Sequence, residues 1–164
     1  MNYIKIDNCN MNNGSGLRCV IWVSGCEHHC KNCFNPETWD ANIGSEFGEK
    51  EWNLICDTIS QDWCSGITLT GGDPLSLANI WDTMRLIDAV KKAFPNKNIW
   101  VYTGSTWDTV KQKPGIEQVD VLVDGEYIDE LKSPDKHWVG SSNQNVIDVK
   151  VSIRENKLVL WKEG

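Results

Sequence analysis

The chain has 164 residues, of which 40% are hydrophobic and 24% charged, which is the composition of an ordinary soluble domain with one core. A formal net charge of −7 argues against a dedicated nucleic-acid binder, which would carry a basic face. No apolar run approaches the length of a membrane span, and the segment 1–5 lacks the apolar stretch of a signal peptide. With seven cysteines, these features predict a cytoplasmic protein in a reducing setting, with no nucleic-acid or membrane partner.

The first half of the chain predicts two strands and one helix. The nearly continuous apolar run from Arg18 to Ser24 predicts a buried strand. A helix is expected from Glu49 to Ser60, because apolar residues recur there with helical spacing. A short strand is predicted from Ile67 to Thr70. The expected apolar face of the helix consists of Trp52, Ile55, Cys56 and Ile59.

The second half continues the alternation of helices and strands. A second helix is predicted from about Ser76 to Ala93, with Pro95 as its stop. Strands are expected at Ile99 to Thr103 and Val119 to Val123, and Ser105 to Asp108 resembles a capping box that opens a short helix. The expected apolar face of the second helix consists of Leu77, Ile80, Trp81, Met84 and Ile87. The segments Val146 to Ile153 and Lys157 to Trp161 predict a terminal hairpin that turns at Glu155 and Asn156.

Strands that alternate with helices predict a mainly parallel sheet built from βαβ units. The chain is too short for an eight-stranded barrel of ~250 residues, so we expect an α/β fold in which a partial, open (β/α) barrel forms a single domain over residues 1–164. Ligands of such folds bind at the carboxyl ends of the strands. The chemically suggestive segments all fall at such ends: Cys26 to Cys33, Gly71 to Pro74, Thr103 to Gly104, and Asp124 to Gly125.

Three cysteines, Cys26, Cys30 and Cys33, follow the first of these strands with the spacing C-x3-C-x2-C. A cubane [4Fe–4S] cluster normally takes four cysteine ligands, so three would leave one iron open for a substrate. A structural zinc site that adds His28 or His29 is an alternative, although zinc ligands usually come as two separated pairs. The other four cysteines form no second motif, so we expect one cluster per chain and expect both histidines to face solvent or a partner.

The run Gly71-Gly72-Asp73-Pro74 lies between a predicted strand and a predicted helix. Paired glycines allow the backbone to approach a ligand closely, although a tight strand-to-helix turn alone would also need Gly and Pro. Beside the cysteine triad, the ligand-binding interpretation is favoured. Asp124 is expected either near a ligand or simply at the end of a buried strand, and Asn143 and Gln144 either contact a ligand or partner or form a polar turn. For Arg18, a structural role is favoured over carboxylate binding.

The cysteine spacing with Phe34 directly after it, and the Gly-Gly-Asp-Pro run, resemble the radical S-adenosylmethionine (SAM) enzymes, in which Asp73 would stand at the glutamate of a Gly-Gly-Glu-Pro motif. Between about Asn13 and Val149 the chain also resembles the activating proteins of anaerobic (class III) ribonucleoside-triphosphate reductase. The segments that carry this likeness, in order, are Asn13 to Arg18, Val23 to Trp39, Gly71 to Leu75, Val101 to Gly104, Val119 to Gly125 and Gly140 to Gln144.

The resemblance implies a function and a set of site residues. Cys26, Cys30 and Cys33 would hold a [4Fe–4S] cluster, and SAM would bind its open iron beside Asn32, Cys33, Phe34, Gly71, Gly72, Asp73 and Pro74. Electrons from a reductant such as flavodoxin would cleave SAM, and the 5′-deoxyadenosyl radical would remove hydrogen from a glycine of the reductase. Activation of another glycyl radical enzyme is the nearest alternative. A non-catalytic iron–sulfur or zinc protein is the alternative from a different class.

Overall fold

The computed structural model describes all 164 residues as a mixed α/β fold around one seven-stranded sheet. In chain order the strands are β1 (Asn2–Asn10), β2 (Leu17–Val23), β3 (Ser45–Glu46), β4 (Cys64–Gly71), β5 (Asn98–Tyr102), β6 (Val121–Asp124) and β7 (Asn145–Asp148). The helices are α1 (Glu49–Ile59), α2 (Ile80–Ala93), α3 (Trp107–Val110) and α4 (Val149–Glu155). None of them is long and apolar enough to cross a membrane.

The strand order is β3-β1-β2-β4-β5-β6-β7, and no pairing joins the two ends of the sheet. The four central strands β2, β4, β5 and β6 run parallel to one another. The edges are antiparallel, because β1 pairs with both β2 and β3 while β7 pairs with β6. The predicted parallel strands are therefore confirmed, with ends that differ by up to three residues, whereas β1 and β3 were not predicted.

The two faces of the sheet differ in what covers them. Alternate residues of a strand point to opposite faces. On β5, Ile99 and Val101 belong to the main apolar core with residues from all four helices. The intervening Trp100 belongs to a smaller cluster, in which its ring lies 4.9 Å from Trp161 and 5.7 Å from Trp138. The helices thus cover one face, and the other face is lined by aromatic side chains.

Helix α1 follows the predicted pattern, since Ile55 and Ile59 are fully buried. The prediction for α2 is correct in its end at Ala93 and in the burial of Ile87, but it is wrong in the start of the helix and in part of its face. The helix begins at Ile80, and its buried side chains include Ile87 and Val90, whereas Leu77 is 79% and Trp81 is 70% exposed. The turn before the helix is held instead by Asn79, whose side chain donates to the carbonyl oxygens of Ser24, Gly25 and Asp73.

The predicted terminal hairpin is also wrong, because α4 replaces most of its first strand. The side chain of Asp148 accepts a hydrogen bond from the backbone N–H of Val151 and caps this helix, and Asn156, which follows its last residue, has a φ of 51°. Only the final segment matches the expectation in part: Leu160 forms an antiparallel bridge with Ile147 beside β7.

Candidate functional site

The loops that follow the four parallel strands meet at one cleft of about 730 Å³. It lies at the carboxyl ends of β2, β4, β5 and β6, where parallel α/β sheets usually bind ligands. Its lining includes residues from all four predicted ligand segments: Cys26, Cys30, Cys33, Gly71, Gly72, Asp73, Thr103, Gly104 and Gly125. The expected convergence of these segments is therefore present in the structure.

The three cysteines of the motif all line this cleft and are half-buried free thiols. Their loop is fastened at its start, where Cys26 N–H donates to the Trp39 carbonyl at 3.0 Å. Within the loop, Cys33 N–H donates to the carbonyl of Cys30 at 3.1 Å. His29 and Asn32 have positive φ values of 49° and 56°, a conformation that most side chains avoid. The sharp turns at these two residues bring the three thiols to the same cleft.

The chemistry of the thiols suits an iron–sulfur cluster. Burial raises the pKa of both Cys26 and Cys30, so cluster binding would displace protons from these thiols. No three Cys, His, Asp or Glu side chains converge at the spacing that a single metal ion needs. Ligands of a cluster bind different irons and need no such common point, and thiolates are the ligands that such clusters prefer.

The Gly71-Gly72-Asp73-Pro74 turn is packed directly against the end of β2. Gly71 has a φ of +97°, and a Cβ at Gly72 would lie only 2.5 Å from the carbonyl oxygen of Gly25. The N–H of Gly72 donates to the Val23 carbonyl at 2.8 Å, and the N–H of Asp73 donates to the Gly25 carbonyl at 2.7 Å. These backbone donors are already used, and the Asp73 carbonyl accepts from Ser76 N–H and the Asn79 side chain. The Gly72 carbonyl has no donor in the chain, so it is the group that the turn offers to a ligand. A ligand that donates hydrogen bonds, such as an ammonium group, is suited to that arrangement.

The carboxylate of Asp73 is 1% exposed and holds the centre of the site together. Its Oδ2 accepts hydrogen bonds from Thr103 Oγ1 at 2.9 Å, from Gly104 N–H at 3.2 Å and from His28 Nε2 at 2.9 Å. Its Oδ1 accepts a fourth from Leu75 N–H at 2.8 Å. The carboxylate is thus occupied by the chain itself, and it links the ends of β4 and β5 to the cysteine loop.

The expectation that His28 faces solvent or a partner is wrong, whereas His29 is exposed as expected. The His28 side chain is only 20% exposed, and its Nδ1 lies 2.8 Å from Glu126 Oε1. The hydrogen bond to Asp73 raises the pKa of His28 to about 9, and a smaller contribution of the same sign comes from Glu126. Both ring nitrogens therefore donate to carboxylates at neutral pH.

The residues expected to contact SAM do not all reach the cleft. Cys33, Gly71, Gly72 and Asp73 line it, and Phe34 lies at its edge with a side chain that is 60% exposed and 4.9 Å from the Tyr127 ring. The two that do not line the cleft are Asn32, whose side chain donates to Asp129 Oδ2 at 2.7 Å, and Pro74, which is buried.

The polar residues for which the sequence left two possible roles, Asp124, Asn143, Gln144 and Arg18, mainly form hydrogen bonds that stabilise the fold. Asp124 is 3% exposed and accepts from the N–H of Trp107 at 2.8 Å, so it takes the place of the expected capping box at α3. Asn143 and Gln144 form a polar turn, in which Gln144 also lines the cleft and donates to the Gly125 carbonyl. Arg18 is fully buried, and its guanidinium donates within the chain to Thr68 Oγ1 and to backbone carbonyls.

Tyr102 is a site residue that the sequence analysis did not single out. It ends β5 and lines the cleft, and its buried hydroxyl has no hydrogen-bond partner in the chain. Burial raises its pKa, so the hydroxyl remains a neutral donor. Trp22 and Trp138 also line the cleft. The signals in the sequence were its position immediately before Thr103 and Gly104, at a strand end, and its place in the segment Val101 to Gly104 that carries the family likeness.

This α/β fold, with three cysteines at one cleft, belongs to a class of iron–sulfur domains. The family model described as a 4Fe-4S single cluster domain matches residues 12–147, which is most of the chain. The chain belongs, more narrowly, to the family of anaerobic ribonucleoside-triphosphate reductase-activating proteins.

Three relatives with that name illustrate the similarity. The protein of Enterobacteria phage T4 is 40% identical over 146 residues, which cover 89% of this chain and 93% of the relative. The protein of Escherichia coli K12 is 38% identical over 150 residues, which cover 89% of this chain and 97% of the relative. The protein of Haemophilus influenzae is 36% identical over 148 residues, which cover 88% and 96% respectively.

Proposed function

We propose that this chain activates an anaerobic ribonucleoside-triphosphate reductase as a radical SAM enzyme. The observation that carries the proposal is the cleft itself, at which the three cysteines and the Gly71–Asp73 backbone meet. When bound, a [4Fe–4S] cluster and SAM would supply reductive cleavage of a carbon–sulfur bond and a 5′-deoxyadenosyl radical that removes hydrogen from a glycine of the reductase. The names of the relatives support the choice of target.

Cys26, Cys30 and Cys33 are the proposed cluster ligands, one fewer than the four that such a cluster normally takes. The residues proposed to surround SAM are Asn32, Cys33, Phe34, Gly71, Gly72, Asp73 and Pro74. In this set, the carbonyl of Gly72 has no hydrogen-bond donor in the chain and would accept from the amino group of SAM. Asp73 would not contact SAM through its carboxylate, since that carboxylate already accepts four hydrogen bonds from the chain, and would instead hold the surrounding segments in place.

The proposed reaction moves a hydrogen atom, so it requires no acid or base from the chain. The chain's part would be to orient the reacting groups and to keep competing reactions away. Trp22, Tyr102 and Trp138 would shield the inner part of the cleft, and the unpartnered Tyr102 hydroxyl is available to a bound substrate. The glycine-bearing loop of the reductase would enter past Phe34, whose exposed ring lies at the edge.

We further propose that residues 1–164 act as a single domain whose sheet curves as a partial, open (β/α) barrel of radical SAM type. The pairing of all seven strands in one unclosed sheet supports this view. The proposed setting is the cytoplasm, where a reductant such as flavodoxin would supply electrons. The seven free cysteines suit such a reducing compartment.

The test is anaerobic reconstitution with iron and sulfide, followed by reduction and addition of SAM. The assay measures 5′-deoxyadenosine and the glycyl radical signal of an added anaerobic reductase. We expect both products with the wild-type chain and neither with Cys26→Ala. Cys9→Ser is the matched control, because Cys9 is an exposed free thiol outside the cleft, and it should behave as wild type.

The outcomes separate the competing functions. Cleavage of SAM without a glycyl radical on this reductase would redirect the proposal to another glycyl radical enzyme. A fully reconstituted, SAM-binding protein that cleaves no SAM would refute the catalytic proposal and favour a non-catalytic cluster protein. Zinc in the purified protein, with no cluster after reconstitution, would favour the structural metal site.

A further inference from the structure

We infer that His28 is a positioning residue, which fastens the three-cysteine loop to the Gly71–Asp73 turn. The inference rests on the proposed function, because it assigns these two segments to the cluster and to SAM. His28 does not act on the substrate in this view. It sets the distance between the cysteine thiols and the Gly72 carbonyl oxygen of the turn.

The contacts of the imidazole ring carry the inference. Nε2 lies 2.9 Å from Asp73 Oδ2, and Nδ1 lies 2.8 Å from Glu126 Oε1. Asp73 and Glu126 each lie two residues beyond the end of a strand, β4 and β6 respectively, so a single side chain of the cysteine loop joins the segments that follow two strands. Hydrogen bonds to carboxylates are about twice as strong as neutral ones, and two of them fix the ring in both position and orientation.

The turn is bonded to the residue just before the loop, because Asp73 N–H donates to the Gly25 carbonyl, but within the loop from Cys26 to Cys33 only His28 forms a hydrogen bond with the Gly71–Asp73 turn. The remaining side-chain anchors of the loop are at its outer surface, where Lys31 and Asn32 contact Glu130 and Asp129. Loss of His28 would leave the loop attached at its start and at its outer side, so its middle part could shift relative to the turn. The three thiols would still be present, but the Cys30 and Cys33 thiols would no longer be held at a fixed distance from the turn, whereas Cys26 would stay beside Gly25.

Gly104 gives an independent way to displace the ring. A Cβ at this position would lie 2.4 Å from His28 Cδ2, and the other nearest atoms are also in the imidazole. The absence of a side chain at Gly104 is thus what allows the ring to lie between the two carboxylates. Its backbone is outside the left-handed region, so the imidazole ring is the nearest obstacle that an alanine side chain would meet.

The first test compares His28→Ala with His29→Ala after anaerobic reconstitution. His29 is the matched control, because it belongs to the same loop but is exposed and contacts Trp39 instead of a carboxylate. For His28→Ala we expect a full complement of iron and sulfide, but a KM for SAM raised about 10- to 100-fold, as for the loss of residues that orient metal ligands. The change that SAM causes in the EPR spectrum of the reduced cluster should be weakened. kcat at saturating SAM should fall less than kcat/KM, and His29→Ala should match wild type.

His28→Gln covers the possibility that the alanine variant does not fold, because glutamine keeps one hydrogen bond to a carboxylate. Its KM for SAM should lie between those of the wild type and His28→Ala. A second arm combines Gly104→Ala with His28→Ala. Alone, Gly104→Ala should raise the KM for SAM as His28→Ala does. In the double variant, the KM for SAM should exceed that of His28→Ala by less than about twofold.

The inference is overturned if wild-type protein cleaves SAM and both His28 variants retain its KM and its EPR response to SAM. Independent, multiplicative effects of Gly104→Ala and His28→Ala would overturn it as well. Failure of the proposed function is a different result, since wild-type protein would then cleave no SAM. In that case the EPR response and the SAM dissociation constants of the same variants would still decide the role of His28.

Discussion

Replacing Asp73 by asparagine tests the centre of the site with almost no change in shape. The carboxylate accepts three hydrogen bonds at Oδ2 and one at Oδ1, and it is 1% exposed. An asparagine can place its oxygen toward the three donors, but its NH₂ group then faces the N–H of Leu75 at the former 2.8 Å contact. One bond is lost and two buried donors oppose each other.

The magnitude follows from these contacts. An unsatisfied buried donor costs about 1–3 kcal/mol, and each of the three remaining bonds loses about 1 kcal/mol when its acceptor becomes neutral. Because such contributions are not additive within one network, we expect Asp73→Asn to lower the free energy of unfolding by about 3–5 kcal/mol. That is a large share of the roughly 5–15 kcal/mol by which proteins of this kind are stable.

The assay is urea denaturation of the cluster-free protein under reducing conditions, with the slope of the transition compared between variants. Asp88→Asn is the control, because this half-exposed aspartate on α2 pairs only with Lys92 one turn away and should change stability by about 0.5 kcal/mol or less. An Asp73→Asn protein within about 1 kcal/mol of wild type would refute the four-bond network. Asp73→Glu should also cost about 1–3 kcal/mol through overpacking, although glutamate occurs there in the Gly-Gly-Glu-Pro motif.

Three further predictions concern other parts of the fold. Gly72→Ala should lower the free energy of unfolding by about 1–3 kcal/mol and weaken SAM binding, because its Cβ would lie 2.5 Å from the Gly25 carbonyl oxygen; denaturation and calorimetry measure the two effects. Burial raises the pKa of Asp120, but hydrogen bonds from two lysines and a backbone N–H outweigh burial and hold this pKa below its ordinary value of 3.8. The ionised carboxylate therefore stabilises the fold fully above pH 3.8, and this stabilisation is lost as the pH falls through the lower pKa of the folded state. Asp120→Asn should therefore lose about 2 kcal/mol at pH 7, and this difference from wild type should shrink in acid denaturation below pH ~4. Burial raises the pKa of the fully buried Cys19 to about 12, so a thiol reagent should modify exposed Cys9 in the native protein and Cys19 only after unfolding, as mass spectrometry of the labelled peptides would reveal.

The part of the fold that sequence predicted well has strong local patterns. The burial of Ile55 and Ile59 on α1 follows from their helical spacing alone. The meeting of the cysteine loop and the Gly-Gly-Asp-Pro turn follows from topology, because the carboxyl ends of parallel strands share one edge of the sheet. Neither prediction needed knowledge of a specific contact between distant side chains.

The predictions that are wrong have a common physical origin in longer-range contacts. The residues Val149, Val151 and Ile153 alternate with polar residues as in a strand, yet Asp148 caps a helix there and Val149 packs in the core. In α2, Asn79 fixes the preceding turn through three carbonyls, and the helix then presents Trp81 to solvent. Tertiary context overrides the local pattern in both cases.

The carboxylate partners of His28 were out of reach of sequence analysis for the same reason. Asp73 and Glu126 are 45 and 98 residues away along the chain, and no periodic pattern relates three such positions. The cysteine spacing identified the loop, but it carried no information about which residue would orient it. Only the folded sheet brings the two carboxylates to opposite sides of one imidazole.

The placement of all four helices on one face of the sheet explains how a chain of this length leaves room for a large cleft. Helix residues join the core with Ile99 and Val101, whereas no helix covers the opposite face at the level of Trp100. There Trp100 packs against the rings of Trp138 and Trp161 and beneath the Arg18 guanidinium. Above that aromatic layer, the cleft of about 730 Å³ has no covering helix. Enzymes that react with small molecules usually bury most of the substrate surface in their own chain. A protein substrate brings its own covering surface, so the open cleft suits the proposed activation of a reductase better than a reaction on a free small molecule.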